Sequence, residues 1–217
     1  MSEATEVFWI YDVISPFAYL ALPGLARLPQ GIELKAVPVL FAGLLDHFGQ
    51  RGPAEIPSKR RFTYRFALWR ARRLQLPMRF PPAHPFNPLA ALRLIIAAGS
   101  GVEAARTVLN AVFRDGRDVA SPAVLDELAH ELGVKDAQAA ILDPAEKARQ
   151  RAHTEWASAQ GVFGVPTLLI DGEIFWGHDA FDMALEYLEH PAGFQDPAMR
   201  AFDALPIGAA RTVKKPS

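Results

Sequence analysis

No cysteine occurs anywhere in the 217 residues, and that absence excludes whole classes of chemistry. Disulfide exchange, thiolate-ligated zinc and a cysteine nucleophile are closed to the side chains of this chain. No charge of one sign dominates: 23 lysines and arginines stand against 24 acids, a formal net charge of -1. Without an overall field, neither nucleic acid nor an anionic membrane is an expected partner. Long apolar runs are missing too. The longest near the N-terminus is Val7 to Tyr11, and no basic segment precedes it. A secretory signal and a membrane span are therefore not expected, and the cytoplasm is the expected compartment. The six histidines are scattered without metal-ligand spacing, so no metal is expected.

Half of the residues are hydrophobic, which suits a soluble chain with one sizeable core or a core with an inserted lobe. Glu6 to Val13 is rich in β-branched and aromatic residues and runs into Ser15-Pro16. That predicts a buried strand followed by a helix with serine at N-cap and proline at N1. Apolar residues continue at helical intervals through Tyr19, Leu20, Leu22, Leu25 and Leu28, with Pro23 and Gly24 expected to kink or interrupt the helix. Ile32 to Leu40 reads as a second strand, far enough away for a parallel crossover.

Between about Leu44 and Gly161 the pattern is helical, over Ser58–Leu76, Asn87–Ala98, Val102–Asp115, Ser121–Leu132 and Pro144–Gln160. Gly99, Gly101, Gly116, Gly133 and Gly161 fall where C-caps are expected. Prolines cluster between Pro53 and Pro88, predicting a long connecting surface between helices. Leu168–Ile170, Asp171-Gly172 and Glu173–Trp176 then read as strand, two-residue turn, strand. Ala180–Glu189 reads as an amphipathic helix, and Pro191–Ser217 as a tail on the surface. The order β-α-β, helices, β-β-α is that of an α/β, thioredoxin-like domain split by an all-helical insertion. Residues 5–43 and 162–190 would form the split domain, 44–161 the insertion and 191–217 the tail.

Ser15 is predicted at a helix N-terminus, where unpaired amides and the helix dipole favour negative charge. A plain helix cap would look the same. Val165-Pro166-Thr167 directly precedes a strand, which suits either a cis-proline loop facing that helix tip or a trans proline opening an edge strand. Asp179 could cap the following helix or contact a ligand, and His178 alone reads as a surface residue.

Three runs together, Ser15-Pro16-Phe17-Ala18-Tyr19-Leu20, Phe163-Gly164-Val165-Pro166-Thr167 and Trp176-Gly177-His178-Asp179, resemble the 2-hydroxychromene-2-carboxylate isomerases and, close behind, the kappa-class glutathione transferases. The resemblance covers roughly residues 5–190 and implies the DsbA-like form of the thioredoxin fold. It also implies glutathione as cofactor, with Ser15 as the catalytic hydroxyl that stabilises the glutathione thiolate. Val165, Pro166, Trp176, Gly177, His178 and Asp179 would form the cofactor site, the Val165 backbone pairing with the cysteinyl part and His178 and Asp179 holding the γ-glutamyl end. Lys59, heading the basic run Lys59-Arg60-Arg61, stands where relatives often carry a lysine that reaches the site. Arg60 and Arg61 read as a solvated helix face. Gln50 stands where relatives often present asparagine, and His84, Phe86 and Asn87 lie in the loop where isomerases contact substrate. A rigid loop packed on the lobe would also explain that last stretch. Leu44 departs from the basic substrate contact of the aromatic-degradation isomerase and cannot bind a carboxylate.

The resemblance thus implies a glutathione-dependent isomerase acting on an aromatic 2-oxo acid, forming homodimers. A kappa-like transferase or peroxidase would use the same thiolate and consume glutathione. A DsbA-like scaffold without its cysteines would bind partners and catalyse nothing.

Overall fold

The computed structural model describes residues 5–209. The β-branched and aromatic run Glu6–Tyr11 forms β1, with Val7, Trp9 and Tyr11 alternating with Phe8 and Ile10 across its two faces. It ends short of the Val13 expected from sequence because the Asp12 carboxylate turns the chain out of the ladder. Oδ1 accepts from the Ile14 N–H at 3.0 Å and Oδ2 from the Phe41 N–H at 2.8 Å. Helix α1, Pro16–Leu25, follows with Ser15 at N-cap and Pro16 at N1. Pro23 withdraws one amide from its last turn without ending it, contrary to the interruption expected there. Gly24 allows Phe181 to approach, since a Cβ at that position would meet the ring at 2.5 Å.

Strand β2, Glu33–Pro38, lies parallel to β1, pairing Glu6 with Glu33 through Tyr11 with Pro38. It is shorter than the predicted Ile32–Leu40 because Leu40 becomes the N-cap of α2, Phe41–His47. The insertion continues with α3 (Pro57–Arg73), α4 (Leu89–Ala97), α5 (Val102–Phe113), α6 (Pro122–Glu131), α7 (Ala137–Leu142) and α8 (Pro144–Ala159). Helix α3 stops before the predicted Leu76, where Gln75 takes a positive φ of 56°. Helix α4 starts after the predicted Asn87, whose Oδ1 accepts from the Leu89 N–H at 3.1 Å. Sequence periodicity misses α7 altogether; it is one short helix whose start is marked by Asp136 accepting from the Ala139 N–H at 2.8 Å. Gly99, Gly116, Gly133 and Gly161 have the positive φ of helix ends, but Gly101 does not. Gly101 is the N-cap of α5, and Ser100 takes the left-handed turn beside Gly99.

Strands β3, Thr167–Ile170, and β4, Glu173–Trp176, form an antiparallel hairpin, and β3 also pairs antiparallel with β1. The sheet order is β2-β1-β3-β4. Asp171 and Gly172, with φ of 51° and 85°, make the two-residue turn whose twist matches the strands. Ile10, Val37, Val39, Leu44, Ala157, Val162, Val165 and Leu169 bury together, with Phe41 and Trp156 packed against them. Helices α2 and α8 thereby close one sheet face and anchor Val165, in the loop that precedes β3. Each large side chain buried in this way contributes about 1.5–3 kcal/mol.

The chain divides into two compact units at Phe181 and Asp182. The second contains most of α9 (Phe181–Glu189), a 3-10 turn over Pro191–Gln195 and α10 (Pro197–Arg200). Within it Tyr187 and Phe194 meet edge to face at 5.1 Å. The end of the predicted tail, 210–217, lies outside the described residues.

Candidate active site

A serine at N-cap ordinarily accepts a hydrogen bond from an amide of its own helix. Ser15 makes no such bond. Its hydroxyl instead donates to the carbonyl of Val165 at 3.3 Å, and the residue is only 7% exposed. Pro16 has no N–H to offer, and the Ser15 carbonyl accepts from Ala18 at 3.0 Å, so the first turn presents its remaining amide end beside the Ser15 side chain. The Val165-Pro166 peptide is cis, as the cis-proline reading predicts. Pro166 accepts from the Gly177 N–H at 2.8 Å, tying the loop to the end of β4. The Val165 N–H has no hydrogen-bond partner among the described residues.

Two cavities open from this point. The smaller, about 460 Å³, is lined by Phe17, Val165, Pro166, Trp176, His178 and Asp179, together with Gly177. The larger, about 500 Å³, has Ser15, Asp12, Tyr64, His84, Phe86 and Asn87 in its wall. Phe17, Val165 and Trp176 belong to both. No lysine or arginine lines the larger cavity among the described residues.

On the smaller side, His178 is buried and stacks on Phe17, ring centroids 5.4 Å apart and nearly parallel. Arg70 on α3 donates from Nε to His178 Nε2 at 2.9 Å. Burial lowers the His178 pKa below the usual histidine value; Arg70 adds to that, while the neighbouring Asp179 opposes it. Gly177 has φ +100°, and a Cβ there would fall 2.5 Å from Asp179 Oδ1. The turn therefore needs glycine for its backbone and for the carboxylate beside it.

On the larger side, His84 sits in a second cis-proline loop, His84-Pro85. Its Nε2 lies 2.7 Å from the Ile14 carbonyl, which can only accept, so Nε2 carries the proton and Nδ1 accepts from the Tyr64 hydroxyl at 2.6 Å. Arg60 donates from Nη2 to the His84 carbonyl at 2.8 Å and from Nε to the Tyr64 hydroxyl at 3.2 Å. Burial keeps the His84 pKa below the usual value. A chain of polar contacts thus runs from α3 to the residue preceding Ser15. Asp12 is fully buried behind the tip, and burial pushes its carboxyl up to about 7 against the lowering effect of the Phe41, Ile14 and Val13 amides.

The structure brings Val165, Pro166, Trp176, Gly177, His178 and Asp179 to the smaller cavity and Ser15, His84 and Asn87 to the larger, with Val165 and Trp176 shared between them. It brings neither Gln50 nor Lys59 to either cavity. Gln50 lies in the exposed turn after α2, its N–H donating to the Leu45 carbonyl at 2.8 Å. Lys59 is exposed on α3. Arg60, not Lys59, shares the helix face of Tyr64, four residues on, and so it is Arg60 that reaches His84. Sequence alone does not single out Asp12, Tyr64 or Arg70, and it reads Arg60 as part of a solvated helix face. The only signal available was spacing on α3, where Arg60 and Tyr64 share one face.

A family model described as a DSBA-like thioredoxin domain matches residues 6–189. A 2-hydroxychromene-2-carboxylate isomerase of Sphingobium xenophagum is 29% identical over 188 residues, covering 82% of this chain and 95% of the relative. Glutathione s-transferase kappa 2 of Caenorhabditis elegans is 26% identical over 215 residues, covering 88% and 95%. Among solved structures, a 2-hydroxychromene-2-carboxylate isomerase aligns with a TM-score of 0.74 at 25% identity, over 89% of this chain and 98% of that one.

Proposed function

Because the chain belongs to the DSBA-like thioredoxin domain family and has no cysteine, we propose that it is a glutathione-dependent isomerase of an aromatic 2-oxo acid such as 2-hydroxychromene-2-carboxylate. When bound, glutathione supplies the thiolate nucleophile that the side chains lack. One observation carries this reading: a buried serine hydroxyl at a helix tip, unused as a cap and turned toward a cis-proline loop.

The residues present fit the cofactor. Ser15 Oγ is one bond rotation from offering its proton to a sulfur in the cleft instead of to Val165. A free thiol has a pKa of about 8.5, and a hydroxyl donor together with helix-end amides lowers it. The unpartnered Val165 N–H suits a peptide strand laid beside it. Asp179 suits an ammonium group, and His178 the carboxylate next to it. Phe86, His84 and Asn87 would hold the planar substrate in the larger cavity that they share with Ser15.

A second reading is favoured by the wall of the larger cavity, which offers no lysine or arginine to a substrate carboxylate. There the chain would act as a kappa-like transferase on an uncharged conjugated electrophile, and glutathione would be consumed. Isomerisation of 2-hydroxychromene-2-carboxylate, measured with and without glutathione, tests the first reading. Equal rates in both would rule out the cofactor. Recovery of free glutathione after many turnovers separates isomerase from transferase.

A further inference from the structure

His178 has two ring nitrogens, and its neighbours decide which one carries the proton. Arg70 Nε always bears hydrogen and lies 2.9 Å from Nε2. Nε2 must therefore keep its lone pair. The ring has almost no room to turn: its side chain is 3% exposed, and one face lies on Phe17. Burial and the Arg70 charge both disfavour a second proton. The neutral ring consequently carries its hydrogen on Nδ1, 3.8 Å from Asp179 Oδ1 and too far for a hydrogen bond between them.

The smaller cavity therefore presents a donor and an anionic acceptor side by side, with Gly177 bringing the carboxylate in. That pair is the complement of an α-amino acid zwitterion, whose ammonium and carboxylate lie a few ångströms apart. We infer that Arg70 is a positioning residue: it fixes His178 as the Nδ1–H tautomer, so that His178 donates to the α-carboxylate and Asp179 accepts from the ammonium of a γ-glutamyl peptide. The peptide assignment rests on the function proposed above; the tautomer does not. With the proton on Nε2, the Arg70 contact would set two donors face to face, and the cleft would show the ligand carboxylate a lone pair next to an anion.

The nitrogen spectrum of 15N-histidine-labelled protein, without ligand and at neutral pH, tests the assignment directly. His178 should show the Nδ1–H tautomer, and Arg70→Met, which keeps the apolar stem, should release the ring to a mixture or to Nε2–H. A native ring in the Nε2–H form, or an unchanged tautomer in the variant, overturns the inference. Calorimetry gives the functional half. Arg70→Met should weaken glutathione binding about tenfold, as loss of one charge-assisted hydrogen bond does. It should leave unchanged the affinity for the analogue in which γ-aminobutyrate replaces the γ-glutamyl residue. Equal weakening for both peptides overturns the carboxylate role. If the native protein binds no glutathione, the proposed function fails, while the spectrum still decides Arg70.

Discussion

The Ser15 hydroxyl and the Val165 carbonyl are hydrogen-bonded at 3.3 Å across 150 residues of chain. The bond joins the N-terminus of α1 to the residue before cis-Pro166, the two walls between which the thiol of the proposed cofactor would lie. It is a long bond on a buried hydroxyl, and a stronger acceptor in the cleft would displace it.

Ser15→Ala should therefore cost activity and little stability. Removal of one preorganised donor at a reacting centre lowers turnover by roughly 10²-fold. Because the hydroxyl does not cap α1, the melting temperature should stay within a few degrees of the native value. The thiolate absorbance of bound glutathione, titrated with pH, should move to higher pH in the variant. An unchanged titration would remove Ser15 from its assigned role.

Asp12 makes stability depend on pH in a direction opposite to that of a paired surface carboxylate. An unfolded aspartate titrates near 3.9, and the folded one is pushed up to about 7. Between those values the folded chain holds a proton that the unfolded chain releases. The Asp12 contribution to the unfolding free energy should thus fall as pH rises through that window, by at most about 4 kcal/mol, while the buried histidines His84, His153 and His178 contribute in the opposite direction. Denaturant unfolding between pH 4 and 8 measures the slope, which should be more negative in the native protein than in Asp12→Asn. A native slope equal to that of Asp12→Asn, or more positive, would show that the amides offset burial.

Arg60 and Lys59 should separate cleanly despite being neighbours. Arg60 holds both the His84 carbonyl and the Tyr64 hydroxyl, whereas Lys59 is exposed outside both cavities. Arg60→Ala should raise KM for the electrophile with glutathione affinity kept. Lys59→Ala should change either constant by no more than about twofold. Steady-state kinetics with each substrate varied in turn checks this, and a Lys59 effect equal to that of Arg60 would contradict the placement.

Gly177→Ala places a methyl group where φ is +100° and Asp179 Oδ1 would lie 2.5 Å away. Backbone strain of this kind costs about 1–3 kcal/mol. Relief by turning Asp179 aside should weaken glutathione binding in calorimetry while leaving the larger cavity intact. Native affinity in a folded variant would show that the Asp179 carboxylate has no part in holding the peptide.

The split β-α-β and β-β-α arrangement, Ser15-Pro16 at a helix start, the hairpin at Asp171-Gly172 and the lack of any thiol follow from sequence alone. Each depends on neighbours within a turn or two: β-branched runs, a cap followed by proline, and residues that tolerate positive φ. Where these local rules compete, boundaries shift, as at Asp12, whose side chain takes amides that would have extended β1, and at Gly101, which begins a helix instead of ending one. Only the tertiary structure decides which way the Ser15 hydroxyl points, because its acceptor lies on a loop 150 residues away. The same holds for the basic helix α3, where a run of arginines looks uniform in sequence. Helical phase sends Arg60 to His84 and Arg70 to His178 and leaves Lys59 in solvent, a sorting set by the surfaces that α3 packs against, which no local pattern encodes.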